Sequence, residues 1–307
     1  MTHDPSDPLK CTTDNSTDYY GLGVRLGIYF SWLASYLANA FLPSAFSGAA
    51  DTSTIFLLTL LVAMTNDSRT GDLTQIDGLT LMHLCGGTTF GVLSLWGYRT
   101  SVYHQLGPRA VRRFGGLGTH IRLAVSLGAS VYELWFWLYG VRGGLDGLEG
   151  ECAELWTWFF VRLYVNGGIR WYYVVVCAAC AAWFGCMLVV AVVAGVASFE
   201  LSWMFQTLRV GALVWLVWSA VTAEVTLNLN HVSGVLDGRH DGELQLPGQF
   251  LPFLVGLFSF IRTCYQLLTE KLGAVEEQEK KTPETGPAVI VMAKDYSPAR
   301  MDEAGTQ

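Results

Sequence analysis

Charged side chains avoid most of the chain between Gly21 and Leu268, and that interval breaks into seven apolar stretches near the length of about twenty residues that a helix needs to cross a bilayer. They lie near Gly21–Leu42, Thr54–Thr65 with its flanks, Ile76–Gly97, Leu117–Gly140, Trp171–Ala197, Thr207–Asn228 and Gly248–Leu268. The second is the shortest: its core, TSTIFLLTLLVAM, has to borrow residues from Ala45 to Asp51 to reach across or sit in a locally thin patch of bilayer. The chain is 51% hydrophobic and 15% charged, against about 25% charged in an ordinary soluble domain. The expected fold is therefore all-α: an integral membrane bundle of seven transmembrane helices over 21–268, between a polar tail at 1–20 and a disordered tail at 269–307. The bilayer is its first partner. The net charge of −7 and the lack of a basic patch exclude nucleic acid.

The first twenty residues are polar and acidic, with no basic leader before an apolar core, so the first span is expected to act as its own insertion signal. Arg99, Arg109, Arg112 and Arg113 between spans three and four, and Lys271, Lys280, Lys281, Lys294 and Arg300 in the C-terminal tail, mark the cytoplasmic side. Seven spans then put the N-terminus outside; Arg142, Arg162 and Arg170 run against this orientation. Glycosylation acceptor patterns at Asn15 and Asn66 fall on the outer side. So do Cys11 and Cys152, a candidate disulfide between the N-terminal tail and the loop after span four. Within that loop, LWTWFFVRLYVNGGIR is too short to span and is expected to lie at the headgroups as an amphipathic helix. Cys177 and Cys180 in span five read as small packing residues.

Arg25, His83, Glu133 and Glu224 are ionisable residues in the outer half of the spans, while His120, Arg122, Glu200, Arg209 and Arg262 lie near the inner boundary and read as anchors. At 1.5 Å per residue from the outer ends, Arg25 and Glu224 lie about 6 Å deep and His83 and Glu133 about 10 Å deep. Such groups face the bundle interior and pair, so Arg25 with Glu133 or Glu224, and His83 nearby, form a candidate outward-facing polar cavity for a small-molecule ligand; the alternative is that Arg25 and Glu224 snorkel to the interface and Glu133 is a paired structural carboxylate. The loop NHVSGVLDGRHDGELQLPGQFLP between spans six and seven would cap it, with His231, Asp237, His240, Asp241 and Glu243 above the cluster. Its histidines lack a recurrent zinc spacing and its aspartates suit turns, so no metal is expected there. Nothing in the chain calls for a cofactor.

YGLGVRLGIYFSWLASYLANAF at 20–41, LSLWGYRT at 93–100, RFGGLGTHIRL at 113–123 and GGIRWYY at 167–173 resemble a broad group of fungal polytopic membrane proteins, mostly without an assigned function. The resemblance covers 20–268 and implies a seven-span protein of fungal type; it supplies no catalytic residue. Other seven-span classes fit worse. The last span has no lysine for a retinal Schiff base, and the Asp-Arg-Tyr and Asn-Pro-x-x-Tyr steps of common G-protein-coupled receptors are absent. A small-molecule transporter or channel is the first functional expectation. A receptor or scaffold acting through the arginine loop and tail is the alternative, and an intramembrane enzyme such as a cyclase, with Glu133 or Glu224 as its acid, stands behind them because polar candidates are sparse. Plasma membrane and endomembrane are both open.

Overall fold

A computed structural model describes residues 19–42, 46–87, 89, 92, 116–145, 154–193, 202–230, 232 and 247–281. The chain divides into two units, Met1–Leu267 and Leu268–Gln307. The described part of the second, 268–281, is helical. The described residues form seven α-helices and one hairpin: α1 (Leu22–Phe41), α2 (Phe46–Thr70), α3 (Gln75–Gly86), α4 (Gly116–Leu138), β1 (Trp156–Phe159), β2 (Val161–Tyr164), α5 (Gly168–Val193), α6 (Ser202–Leu229) and α7 (Pro247–Lys281). Asn15, Cys11, Cys152 and the loop residues His231, Asp237, His240, Asp241 and Glu243 lie outside the described residues.

Four helices hold stretches long and apolar enough to cross a membrane: Gly48–Thr70, Gly168–Val189, Val210–Leu229 and Pro247–Glu270. Their outward faces are apolar, with Ile55, Val175, Val214 and Leu251 each at least 65% exposed. In water such surface would be costly, about 25 cal/mol per Å². Against lipid it is matched. The helices α1 and α4 carry polar groups that point inward, among them Arg25, Ser31 and Asn39 on α1 and Arg122, Ser126 and Ser130 on α4, all buried.

The stretch that looked too short to cross is a helix of 25 residues. Its polar flanks remain helical because the hydroxyls bond within the helix: Thr52, Thr54, Thr59, Thr65 and Ser68 each donate to the carbonyl four residues earlier. A hydroxyl satisfied in this way needs no water, so threonine and serine cost little at bilayer depth. Exposed Asn66 lies in this helix, donating from its amide to Asp67 Oδ1 at 2.8 Å.

The expected headgroup helix is instead an antiparallel hairpin, with Trp156 opposite Tyr164 and Phe159 opposite Val161. The residues explain the correction. WTWFFVRLY is almost wholly aromatic and β-branched, the composition that favours strands, and its burial alternates about Thr157, which is fully buried between half-exposed Trp156 and Trp158. Phe160 closes the turn at φ 60°, a left-handed conformation rare for a bulky side chain.

The α1/α7 contact is set by small residues. Gly23 and Gly27 are four apart on α1, and Gly256 faces Gly27 so closely that a Cβ on Gly27 would run into the carbonyl of Pro252. Small residues let two membrane helices approach backbone to backbone. Gln249 of α7 completes the contact: its Oε1 accepts from the N–H groups of Gly23 at 3.0 Å and Val24 at 3.3 Å. These are first-turn donors of α1 that have no partner within their own helix, and Gly21, at the cap position, has no side chain to serve them.

Candidate functional site

Helix α6 places a hydrogen-bonding side chain at nearly every turn of one face: Trp215, Ser219, Thr222, Thr226 and Asn230 recur at the spacing of a single helical stripe. The stripe faces α3 and β1, the two elements packed against α6 here. At one end, Trp215 donates its indole N–H to Gly86 O at 2.8 Å, serving a terminal carbonyl of α3. At the other end it holds the hairpin. Thr226 Oγ1 accepts from Trp158 N at 3.2 Å, Asn230 Oδ1 accepts from Trp156 N at 2.8 Å, and Asn230 Nδ2 donates to Trp156 O at 2.6 Å.

The geometry of this edge follows from two repeats. Four residues of helix rise about 6 Å and two residues of strand about 6.7 Å, so side chains at 226 and 230 meet the backbone at 158 and 156. The exposed edge of β1 is thereby paired by side chains, which a strand near lipid requires. Asn230→Ala is expected to strand the Trp156 N–H and C=O at a cost of about 1–3 kcal/mol per group. Amide hydrogen exchange should then speed up over 156–164 and remain slow in α4 and α5. Unchanged protection in the hairpin would contradict this anchoring.

Held so, the hairpin sends Thr157 into the bundle, where its Oγ1 lies 3.2 Å from His83 Nε2. Beneath this contact is a cavity of about 240 Å³ between α3, α4, α5 and α6. Its polar lining comes from His83, Glu133, Cys177, Cys180 and Ser219, and its walls include Trp137, Tyr173, Trp215 and Trp218. Helical spacing gathers them: Glu133 and Trp137 are four apart on α4, and Tyr173, Cys177 and Cys180 recur at four and three on α5. Cys177 Sγ donates to Glu133 Oε2 at 3.6 Å. The Trp137 and Tyr173 rings stack at 4.4 Å and 6°. Beside them, Arg170 Nε donates to Trp137 O at 2.8 Å, which satisfies another helix-end carbonyl.

The four ionisable residues named from sequence divide into two places. His83 and Glu133 share the cavity. Arg25 and Glu224 form an ion pair at 3.1 Å elsewhere, with Tyr29 donating to Glu224 Oε1 at 2.8 Å. The single outward-facing cluster of four is therefore corrected to a cavity and a separate pair. The reason is azimuth: Glu224 is two positions from Thr222, about 200° around α6, so it faces α1 instead of the stripe. Cys177 and Cys180, expected to be packing residues, line the cavity.

Asp77 and Asp51 were not singled out from the sequence. Asp77 is fully buried; Tyr20 Oη donates to its Oδ1 at 2.7 Å, and Thr74 Oγ1 and N donate to its Oδ2. Thr74 and Asp77 form a capping box at the start of α3, a pattern readable three residues apart. Asp51 accepts from Arg122 Nη2 at 2.6 Å, toward the opposite end of the bundle from the hairpin. There Ser31, Ser35 and Ser53 share their hydroxyls at 2.6–2.7 Å, and a cavity of about 50 Å³ is lined in part by Ser35, Ser53 and Arg122. Among the described residues, no group of three or more His, Cys, Asp and Glu side chains is placed to hold a metal ion.

No protein-family model, curated protein or solved structure matches the chain.

Proposed function

We propose that this chain is a seven-span membrane protein of fungal type, with its N-terminus outside, and that it transports a small molecule bound in the His83–Glu133 cavity. The observation that carries the reading is the cavity itself: about 240 Å³, lined by four helices, mostly apolar, with a carboxyl and an imidazole converging on it. In this reading α1 and α4 are two of the remaining spans and α3, twelve residues long as described, is the outer part of the third, Ile76–Gly97; their polar residues are tolerated because they point into the bundle. The hairpin covers the cavity on the outer side, where Thr157 meets His83.

The cargo itself can be found by the test. Membrane vesicles carrying the wild-type chain are compared with vesicles carrying Glu133→Gln by mass spectrometry of the molecules they accumulate. At least one molecule should enter about tenfold or more faster with the wild type, since losing about 1.4 kcal/mol of binding slows uptake by that factor below saturation. Identical contents would sink the transport reading.

The aromatic walls favour one second reading, an intramembrane cyclase in which the Glu133 carboxyl protonates an olefin or epoxide and the π faces stabilise the cation formed. The same experiment separates the two. An enzyme converts its substrate into a product of different structure, whereas a transporter concentrates the molecule unchanged.

A further inference from the structure

We infer that the molecule bound in the His83–Glu133 cavity is a lipophilic organic cation, an amine or quaternary ammonium on an aromatic or branched apolar body. The inference rests on the reading of this cavity as a small-molecule site. It begins from how the other acids in the helices are satisfied. Glu224 has Arg25 at 3.1 Å, and Asp51 has Arg122 at 2.6 Å. Asp77 accepts from the Tyr20 hydroxyl and from both the hydroxyl and the N–H of Thr74. Glu133 differs: among the described residues it has one hydrogen bond, from the weak donor Cys177 at 3.6 Å, and no cation within ion-pair distance.

A carboxylate at bilayer depth needs a counter-charge. Among the described residues, no lysine or arginine lines the cavity. Arg162 and Arg170 sit instead over the rings of Trp156 and Trp171, which are not among its lining residues. His83 does line it, but among the described residues it makes no ion pair with Glu133; its Nε2 faces Thr157 Oγ1 at 3.2 Å. An unpaired carboxyl at this depth keeps its proton, and a cation entering the cavity would be the partner that lets Glu133 ionise.

The walls suit such a group. Trp137 and Tyr173 are stacked, and Trp215 and Trp218 lie 4.8 Å apart. Indole and phenol faces attract cations, most strongly where water is excluded. Quaternary ammonium ions in particular are recognised by aromatic cages of this kind, because they have no N–H to donate. The volume sets the size: a dry cavity of about 150 Å³ admits benzene, so about 240 Å³ leaves room for a ring bearing a trimethylammonium group.

The experiment compares benzyltrimethylammonium with neopentylbenzene, its neutral isostere with carbon in place of nitrogen. Binding is measured by equilibrium dialysis on the full chain in lipid nanodiscs, with empty nanodiscs subtracted. The cation should bind saturably at one site and at least tenfold more tightly than the isostere. Glu133→Gln should remove that preference and leave the isostere's affinity unchanged. Trp218→Leu, which leaves the carboxyl in place, should weaken the cation several-fold and so keeps the inference testable if Glu133→Gln fails to fold. Equal binding of both probes, or cation binding indifferent to Glu133→Gln, would overturn the charge assignment while the cavity stays a small-molecule site. Binding of neither probe would remove the small-molecule reading, and this inference with it.

Discussion

Gly27→Leu is expected to abolish the folded protein: expression in membranes falls to a small fraction of wild type, and what can be extracted elutes as aggregate. Even the first atom of the new side chain collides with the carbonyl of Pro252. Backbone cannot swing aside as a flexible side chain can, so the cost exceeds the 1–3 kcal/mol typical of an overpacked core (about 3 kcal/mol or more), against a total stability of about 5–15 kcal/mol. Separating α1 from α7 also removes the Gln249 carbonyl from the N–H groups of Gly23 and Val24. The Phe30 contacts with Phe253 and Phe260, at 6.2 and 5.5 Å, go with it. A Gly48→Leu control, where a Cβ meets nothing within 4 Å, should be nearly neutral. Wild-type yield and elution for Gly27→Leu would mean that α7 does not dock on α1 in this way.

The second large effect is an asymmetry within one ion pair. Arg25 is 1% exposed and Glu224 36% exposed. Removing the acid by Glu224→Gln leaves a guanidinium charge enclosed by protein, and breaking a buried pair in this way costs about 3–5 kcal/mol. Arg25→Leu leaves an acid that can take a proton, as the guanidinium cannot give one up, and that retains its bond from Tyr29, so its cost should be about 1.5–3 kcal/mol, that of one lost hydrogen bond to a charged group. Thermal unfolding in detergent should therefore rank wild type above Arg25→Leu and Arg25→Leu above Glu224→Gln. The reverse order would show that the exposed end of the pair carries its stability. This ranking also assigns Glu224 to folding: any functional loss in Glu224→Gln should track lost protein, whereas Glu133→Gln should lose function with its yield intact.

Helix positions were the most legible part of the chain. Apolar length alone located α1, α4, α5 and α6 to within a few residues, because an apolar helix satisfies its own backbone and needs little else to specify it. The same criterion understated α2, since hydropathy charges Thr52, Thr54 and Thr65 for hydroxyls that bond back into the helix. The hairpin was hidden for a different reason: its β1 edge is paired by Asn230 and Thr226, which lie about seventy residues downstream and carry no mark of that role in the sequence. The site was half legible. Depth along a span is countable, which brought His83 and Glu133 forward together, but direction around the helix decides which group a residue meets. That separated Glu224 from Glu133 and brought in Cys177, which the 3.6-residue period had already aligned with Tyr173.

The placement of the cavity within the bilayer depends on an odd number of crossings, with the hairpin outside. The direct measurement is a reporter at each terminus of the full chain, read in intact cells for the side on which it lies. Seven spans predict opposite sides, the N-terminal reporter outside and the C-terminal one in the cytoplasm. Both reporters on the same side would mean an even number of spans and would contradict the seven-helix bundle in which Glu133 and His83 share an internal cavity.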